Sequence, residues 1–322
     1  MSEPIAPMTP ALRERLFREA VDLRGDAARF KRVTQLHADP TRATLGLAVR
    51  ACRSDDPRDR RAGADVLGQL GFAVGMPFWR QSFPVLVRLL RKDEDPRVIQ
   101  AAIIALGHLA SQHRAGMRRA AGKLCAMVNH RDVEVRHAIA FALPSFGKGG
   151  DVMEGLILLS RDRSSDVRNW ACFGLGTAVT FDTPRLREAL WNRVGDRDLD
   201  THWEAVAGLA KRHDVRVRRR VLDALRSGMS GVLDNVWSTI LEAAPGYRDA
   251  EICDALRRLA DRGWEVSRAV AECDAAVSNE GRPRVPRFSG RCEPNLRIED
   301  PKTRQTSANR VAKPDQLAQP SP

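Results

Sequence analysis

The chain has 322 residues, of which 43% are apolar and only 5% aromatic, and it carries a formal charge of +12. That supplies a core, but small and aliphatic side chains must pack it, which suits closely apposed helices better than a β-sandwich. No run of 18 apolar residues is present and MSEPIAPMTPALRERLF lacks the apolar stretch of a secretory signal, so a soluble, cytoplasmic protein with no membrane contact is expected.

Residues 1–8 are expected to be disordered. Residues 9–53 read as a helical cap for a repeat array. Five segments then align without gaps: DRRAGADVLGQLG from Asp59, VIQAAIIALGHLA from Val98, VRHAIAFALPSFG from Val135, VRNWACFGLGTAV from Val167 and THWEAVAGLAKRH from Thr201. Their shared leucines, Leu67, Leu106, Leu143, Leu175 and Leu209, are 39, 37, 32 and 34 residues apart. Apolar or small residues recur at offsets 0, 4, 7, 8 and 11, the pattern of one helix face. Offsets 5 and 6 are also apolar (Ile103 and Ile104, Ala140 and Phe141, Cys172 and Phe173), so each of these first helices is expected to be covered on more than one side.

A second helical pattern lies between them, at Phe83–Lys92, Arg118–Val128, Val152–Ser160, Pro184–Val194 and Val215–Leu225. Asp182-Thr183-Pro184 offers a cap followed by proline at a first helical position. Asp-rich turns (KDEDP, HRDVE, SRDRSSD, GDRDLD) separate each second helix from the next unit. Residues 227–276 read as a closing helical cap. The expected fold is all-α: a right-handed α-solenoid over residues 9–276, with about five to seven helical pairs and the second helices lining its concave face.

From residue 277 the chain is rich in Pro, Arg and small polar residues and is expected to be a disordered basic tail, 277–322. Residues 279–322 hold nine Lys/Arg against five Asp/Glu, which leaves 44 basic and 36 acidic residues in the body. That is a mixed surface with a basic tilt, which the arginine usage of a GC-rich genome also produces. The six cysteines (Cys52, Cys125, Cys172, Cys253, Cys273, Cys292) form no C-x-x-C and are expected to be reduced and mostly buried.

The pattern D-x-x-V-R-x-x-A-x-x-x-L-G, as in Asp132–Leu143 and Asp166–Gly176, resembles HEAT repeats of the phycobilisome-lyase-like type over residues 55–226. The resemblance implies a solenoid. For function it implies less, since the family includes scaffolds, lyases that handle bilins, a metal-dependent hydroxylase and DNA glycosylases. The hydroxylase uses recurring His-Glu pairs as iron ligands, and equivalent pairs do not recur in these units.

Local motifs yield to the repeat. Gly174-x-Gly176 sits within a helix, with Val179 where a dinucleotide fingerprint needs a small residue. Gly174 shares a column with Ala105, Ala142 and Gly208, where small side chains let helices approach; Gly176 matches Gly68 and Gly107, read as helix-end glycines. Cys172 falls in the apolar column of Ile103, Ala140 and Val206, the opposite of what a reactive thiol needs. His202-x-Glu204 lacks the P-C-x-x-C of zinc deaminases. No catalytic, cofactor or metal residues are assigned.

Asp132 and Arg136, with Asp166 and Arg168, are expected to form a structural ladder of charge-assisted hydrogen bonds between turns, Asp162 being a further acid just before Arg168. Trp170 shares a column with Ala62, Ala101, Ala138 and Glu204. A position that accepts Glu is expected at the edge of the buried face, which makes Trp170 a half-covered binding anchor. Arg88 and Arg187 on second helices, and Arg216, Arg218 and Arg220 in the run after Lys211-Arg212-His213, complete a candidate partner-binding set. The leading expectation is a non-enzymatic scaffold holding a protein partner on the concave face. The alternatives are nucleic-acid binding by those arginines and the tail, and a bilin-lyase-like role.

Overall fold

The structure is a computed structural model and describes residues 8–23, 26–113, 117–147, 149–228 and 234–278. The expected disordered tail, from 279 onward, and all but the last residue of the expected N-terminal stretch lie outside the described residues. Every regular element among the described residues is helical. The chain divides into two compact units, Met1–Arg212 and His213–Pro322.

The first unit opens with α1 (Pro10–Asp22), α2 (Asp26–His37) and α3 (Arg42–Ala51). Four helical pairs follow: α4 (Pro57–Gln69) with α5 (Trp79–Lys92), α6 (Pro96–Gln112) with α7 (Arg118–Cys125), α8 (Val133–Ala142) with α9 (Gly150–Leu159), and α10 (Ser165–Phe173) with α11 (Pro184–Trp191). A last first-type helix, α12 (Leu199–Ala210), ends the unit. The turns start these helices. Asp56, Asp95, Asp132 and Asp198 are N-caps whose carboxylates accept from backbone N–H groups of the first turn, at 2.8 Å for Arg58, Arg97 and Thr201 and 2.9 Å for Glu134. Thr183 caps α11 in the same way, ahead of Pro184.

Offsets 0, 4 and 8 form the spine of the core. Val98, Ala102, Leu106, Val135, Ile139, Leu143, Val167, Ala171 and Leu175 are all fully buried. Each Val, Leu or Ile so placed contributes about 1.5–3 kcal/mol.

Small residues set the helix spacing. A Cβ on Gly68 would meet Ala105 Cα at 2.9 Å, and one on Gly107 would meet Ala142 Cβ at 2.9 Å. Gly174 lies against Pro144, and Gly208 against Gly176, where a Cβ would fall 2.4 Å from Gly176 Cα. Offset 9 of one unit therefore meets offset 7 of the next at all four junctions. Gly68, Gly107 and Gly176 are close-approach glycines rather than helix-end ones, since none takes the left-handed backbone that a terminal glycine adopts. First helices pack side by side along the unit, while successive second helices touch one another much less. The closely spaced row lies on the inside of any bend. The inner face of this unit is thus built by α4, α6, α8, α10 and α12, which corrects the expectation that second helices line it.

The end of α10 loosens into a π turn, Gly174–Ala178, in which Val179 N–H donates to Gly174 C=O at 3.2 Å. Arg212 satisfies the carbonyls left over. Its guanidinium donates to Gly176 and Gly208 at 2.7 Å, Leu175 at 2.9 Å and Phe181 at 3.0 Å. Lys211 Nζ reaches Thr177 C=O at 2.7 Å. The two residues that open the basic run are therefore helix-end caps, and Arg212 is buried.

The second unit holds α13 (Arg218–Ser227), α14 (Asp234–Ala243), α15 (Ala250–Asp261) and α16 (Ser267–Ser278). Gly246 leaves room for the His213 ring: a Cβ there would lie 1.9 Å from Nε2. Tyr247 stacks edge-on to the same ring and donates from its hydroxyl to Asp214 C=O. Cys253 and Cys273 are joined in a disulfide with Cα atoms 5.7 Å apart. This overturns the expectation of six reduced thiols. The two lie 20 residues apart on different helices, and only the packing of α15 on α16 brings them together. Cys52 and Cys172 are free and buried, Cys125 is free and partly exposed, and Cys292 lies outside the described residues.

Candidate partner-binding face and the ladder beside it

Offsets 2, 6 and 10 of the first helices are the positions that the fold leaves partly open. One helical turn separates successive members, so they form a stripe on each helix. Asp65, Ile104, Phe141 and Phe173 stand at offset 6 of α4, α6, α8 and α10, each partly exposed. Beside them, at offset 2, lie Arg61, Gln100, His137, Asn169 and Trp203. Offset 5 behaves as expected and is buried: Ile103, Ala140, Cys172 and Val206 have no exposed surface. Offset 6 does not. On α6, α8 and α10 its apolar residues stay partly open on the inner surface of the unit, whereas Ala207, at the same offset of α12, is fully buried.

Trp170 is the foundation of this stripe rather than part of its surface. It is 4% exposed, with ring centroids 5.0 Å from Phe141 and 5.5 Å from Phe173, both edge-to-face, and His137 at 6.1 Å. The expectation of a half-covered anchor fails because its premise fails: Glu204, in the same column, is itself fully buried, as are Ala62, Ala101 and Ala138. His108 meets Phe141 edge-on and contacts Gln69 through Nε2 at 2.8 Å. Burial pushes the His108 imidazole down to about 4, so it is neutral at pH 7.

Along the loop edge runs an ionic ladder. Arg60, Arg136 and Arg168, all at offset 1, each grip two carbonyls of their own preceding loop: Ser54 and Asp55, His130 and Arg131, Asp162 and Arg163. Each also forms a two-pronged pair with a carboxylate of the next loop, at 2.6–3.0 Å to Asp93, Asp162 and Asp196. Asp93, Asp162 and Asp196 in turn accept from the backbone N–H two residues on. Burial alone would raise the Asp162 and Asp196 carboxyls, but the guanidinium and backbone donors hold both below the ordinary 3.8.

Two expected ladder members are reassigned. Asp132 is the N-cap of α8, its carboxylate accepting from Glu134 and Val135 N–H, and it acts on Arg136 through charge while Asp162 takes the two-pronged pair. Asp166 is exposed in the first turn of α10, and the partner of Arg168 is Asp196, one unit further on. The second unit of the array breaks the ladder in a matched way: Ile99 replaces the arginine, and His130 replaces the aspartate that would have faced it, its Nδ1 accepting from Asp132 N–H at 3.1 Å.

The predicted arginines divide between the two units, Arg88 and Arg187 in the first and Arg216, Arg218 and Arg220 in the second. Arg88 is exposed on α5, in the second-helix row. Arg187 on α11 is held by Asp182 and donates to Arg212 C=O at 2.9 Å. In the second unit Arg216 pairs with Asp214, Arg218 with Asp249 and Glu251, and Arg220 is half-buried on α13. Carboxylates meet Arg187, Arg216 and Arg218, which removes much of the positive field that a phosphate surface needs.

With this geometry in place, comparison with known proteins becomes specific. Residues 44–144 match the model of HEAT repeats. That stretch of the chain is built of HEAT repeats. It is 25% identical over 210 residues to protein YibA of Escherichia coli K12, an alignment covering 65% of this chain and 71% of YibA. The X-ray structure of E. coli YibA superposes with a TM-score of 0.62 at 22% identity, covering 85% of this chain and 99% of YibA. A mutant of Kap121p gives a TM-score of 0.55 at 13% identity, covering 76% of this chain and 29% of that one. These structural likenesses carry the fold: an all-α solenoid. No helix among the described residues is long and apolar enough to cross a membrane.

Proposed function

We propose that this protein is a non-enzymatic scaffold that holds a protein segment on the inner face of its first unit. One observation carries the reading: Ile104, Phe141 and Phe173 form a partly exposed apolar stripe across the successive first helices α6, α8 and α10, its two phenylalanines held from beneath by the buried Trp170. Large apolar side chains presented on rigid elements are what an interface core requires. The edge-to-face packing of Phe141 and Phe173 on Trp170 fixes their rotamers in advance, so little ordering cost remains for binding. The surface lies on first helices rather than on the Arg88 and Arg187 row.

The test is affinity purification of the wild-type chain against a Phe141→Asp/Phe173→Asp variant, with circular dichroism and thermal unfolding showing both folded. A stoichiometric protein partner recovered with wild type and lost with the variant is the expected result. A partner retained undiminished by the folded variant refutes the assignment of this face.

A further inference from the structure

The outer row at the start of the array is charged in one sense only. Helices α3, α5 and α7 hold two, four and three Lys/Arg and no Asp/Glu. Further along the row, α9 and α11 carry Asp151, Glu154 and Glu188. On α5 the core takes Ser82, Leu86, Leu89 and Leu90. The opposite face presents Arg80, Pro84, Arg88 and Arg91 at i, i+4, i+8 and i+11, all exposed, with Lys92 beside them. Among the described residues these four cations form no ion pair, and Asp93, just past the helix, is held by Arg60. On α3, which packs against α5, Arg42 and Arg50 are exposed, and Arg50 has Glu14 at 4.0 Å.

An apolar tip precedes this face. The chain between α4 and α5 makes a single 3₁₀ turn, Phe72–Val74, flanked by Gly71 and Gly75, both left-handed. Gly71 N–H donates to His37 C=O and Met76 N–H to Gly71 C=O, each at 2.9 Å. Met76 is buried although its own backbone is left-handed, which few non-glycine residues adopt. These anchors leave Phe72 39% and Val74 65% exposed. His113 ties the tip to the cations. Its Nε2–H donates to Gly75 C=O at 3.1 Å, its ring stacks on Trp79 at 4.8 Å, and the Arg80 guanidinium lies 4.9 Å from the same indole.

We infer that this face docks the protein onto an anionic lipid bilayer, with Phe72 and Val74 entering the headgroup–acyl boundary and Arg80, Arg88, Arg91 and Lys92 lying among lipid phosphates. The interfacial layer accepts this combination: anionic headgroups attract the cations, the acyl boundary takes the apolar tip, and an indole sits between the two. A nucleic acid would use the arginines and leave Phe72 and Val74 in water. A protein segment favours a concave surface, whereas this row lies on the outer side of any bend and meets a plane more readily. The expectation of no membrane contact rested on the lack of a long apolar run, which bears on spanning alone; surface contact needs no such run. The face is separate from the stripe on α6, α8 and α10, so the protein can sit on a membrane with that stripe open.

The full chain is floated with vesicles of phosphatidylcholine, alone or with about one-third phosphatidylserine, at two salt concentrations. The expected result is binding to the mixed vesicles only, weakening with salt. Each Lys/Arg near an anionic surface strengthens binding about fivefold, so Arg88→Gln/Arg91→Gln lowers affinity about thirtyfold. Phe72→Ser/Val74→Ser lowers it at least about tenfold. All four side chains are exposed, and circular dichroism should show both variants folded. Arg161→Gln/Arg163→Gln removes the same charge from exposed positions on the loop edge and should change affinity less than about twofold. Equal binding to neutral vesicles, no binding to either kind, undiminished binding by the folded tip or arginine variant, or an equal loss in the loop-edge variant overturns the inference. So does tighter binding to a DNA duplex that the tip variant leaves unchanged.

Discussion

Gly208→Ala places a single methyl group at the tightest point of the first unit. Its carbon would fall 2.4 Å from Gly176 Cα, 3.0 Å from Leu190 Cδ1 and 3.4 Å from Gly176 C. Carbon atoms in contact prefer about 3.5–4.0 Å, so the end of α10 and helix α12 must part by about 1 Å. The nearest obstacle is backbone, which cannot turn aside as a side chain could. Overpacking of this kind costs about 1–3 kcal/mol, while alanine in a helix interior returns up to about 1 kcal/mol over glycine. Separation also stretches the Arg212 bonds to Gly176 and Gly208, both 2.7 Å, which moves the balance toward the larger cost. A net loss of about 1–2 kcal/mol follows, equivalent to a Tm lower by several degrees, at about 2–4 °C per kcal/mol for a domain of this size. Gly122→Ala is the matched control. It lies exposed within α7 with no atom within 4 Å of the added carbon, so it should stabilise by about 0.5–1 kcal/mol. Both are read by thermal scanning and urea unfolding. A Gly208→Ala chain as stable as wild type would refute the close-packing account of these glycines.

Acid titration gives a second prediction. Because Asp162 and Asp196 have folded pKa values below 3.8, the unfolded chain takes up their protons first. Their stabilisation is complete above about pH 5 and fades as the pH falls through 3.8 toward the folded values, and Asp162→Asn should flatten that part of a stability-against-pH curve. At neutral pH the same change leaves the buried Arg136 guanidinium facing an amide, costing about 3 kcal/mol by urea unfolding. Arg212→Met strips donors from four carbonyls and should lower stability by at least about 2 kcal/mol, with Arg212→Lys recovering only part. Thiol alkylation of the native chain at pH 8 should label Cys125 well before Cys52, whose thiol burial pushes up to about 12, or Cys172, which burial pushes up further still. Peptide mapping of the modified chain reads each site separately.

The helical repeat was legible because its signal is redundant: five leucines in register and Asp-capped turns specify the same pairs of helices at every level. Burial at offsets 0, 4, 5 and 8 followed from that register. What the register could not tell was which side of an almost wholly apolar helix stays open. Offsets 5 and 6 look alike in sequence, and only the packing of neighbouring helices leaves Phe141 and Phe173 partly open on the inner face while Ala140 and Cys172 are sealed. Trp170 was misread because glutamate normally marks a surface, whereas Glu204 is one of the rare buried carboxylates. Pairing information was also missing. Arg168 has acids at hand in its own unit, yet its partner comes from the following loop, and Cys253 and Cys273 meet only through helix packing.

The matched replacement of one ladder pair by Ile99 and His130 governs how such an array can gain or lose units. Each unit offers an arginine forward and an aspartate backward, and a seam is sound only if both or neither are present. Removing the unit that runs from Asp162 through α11 would present Arg136 to Asp196, so the seam would close on an intact pair. Removing instead the unit from His130 through α9 would present Ile99 to Asp162, stranding a half-buried carboxylate. Lineages that shorten or lengthen this array by whole repeats should therefore do so at the first kind of seam, and keep the Ile99–His130 junction together as one heritable block.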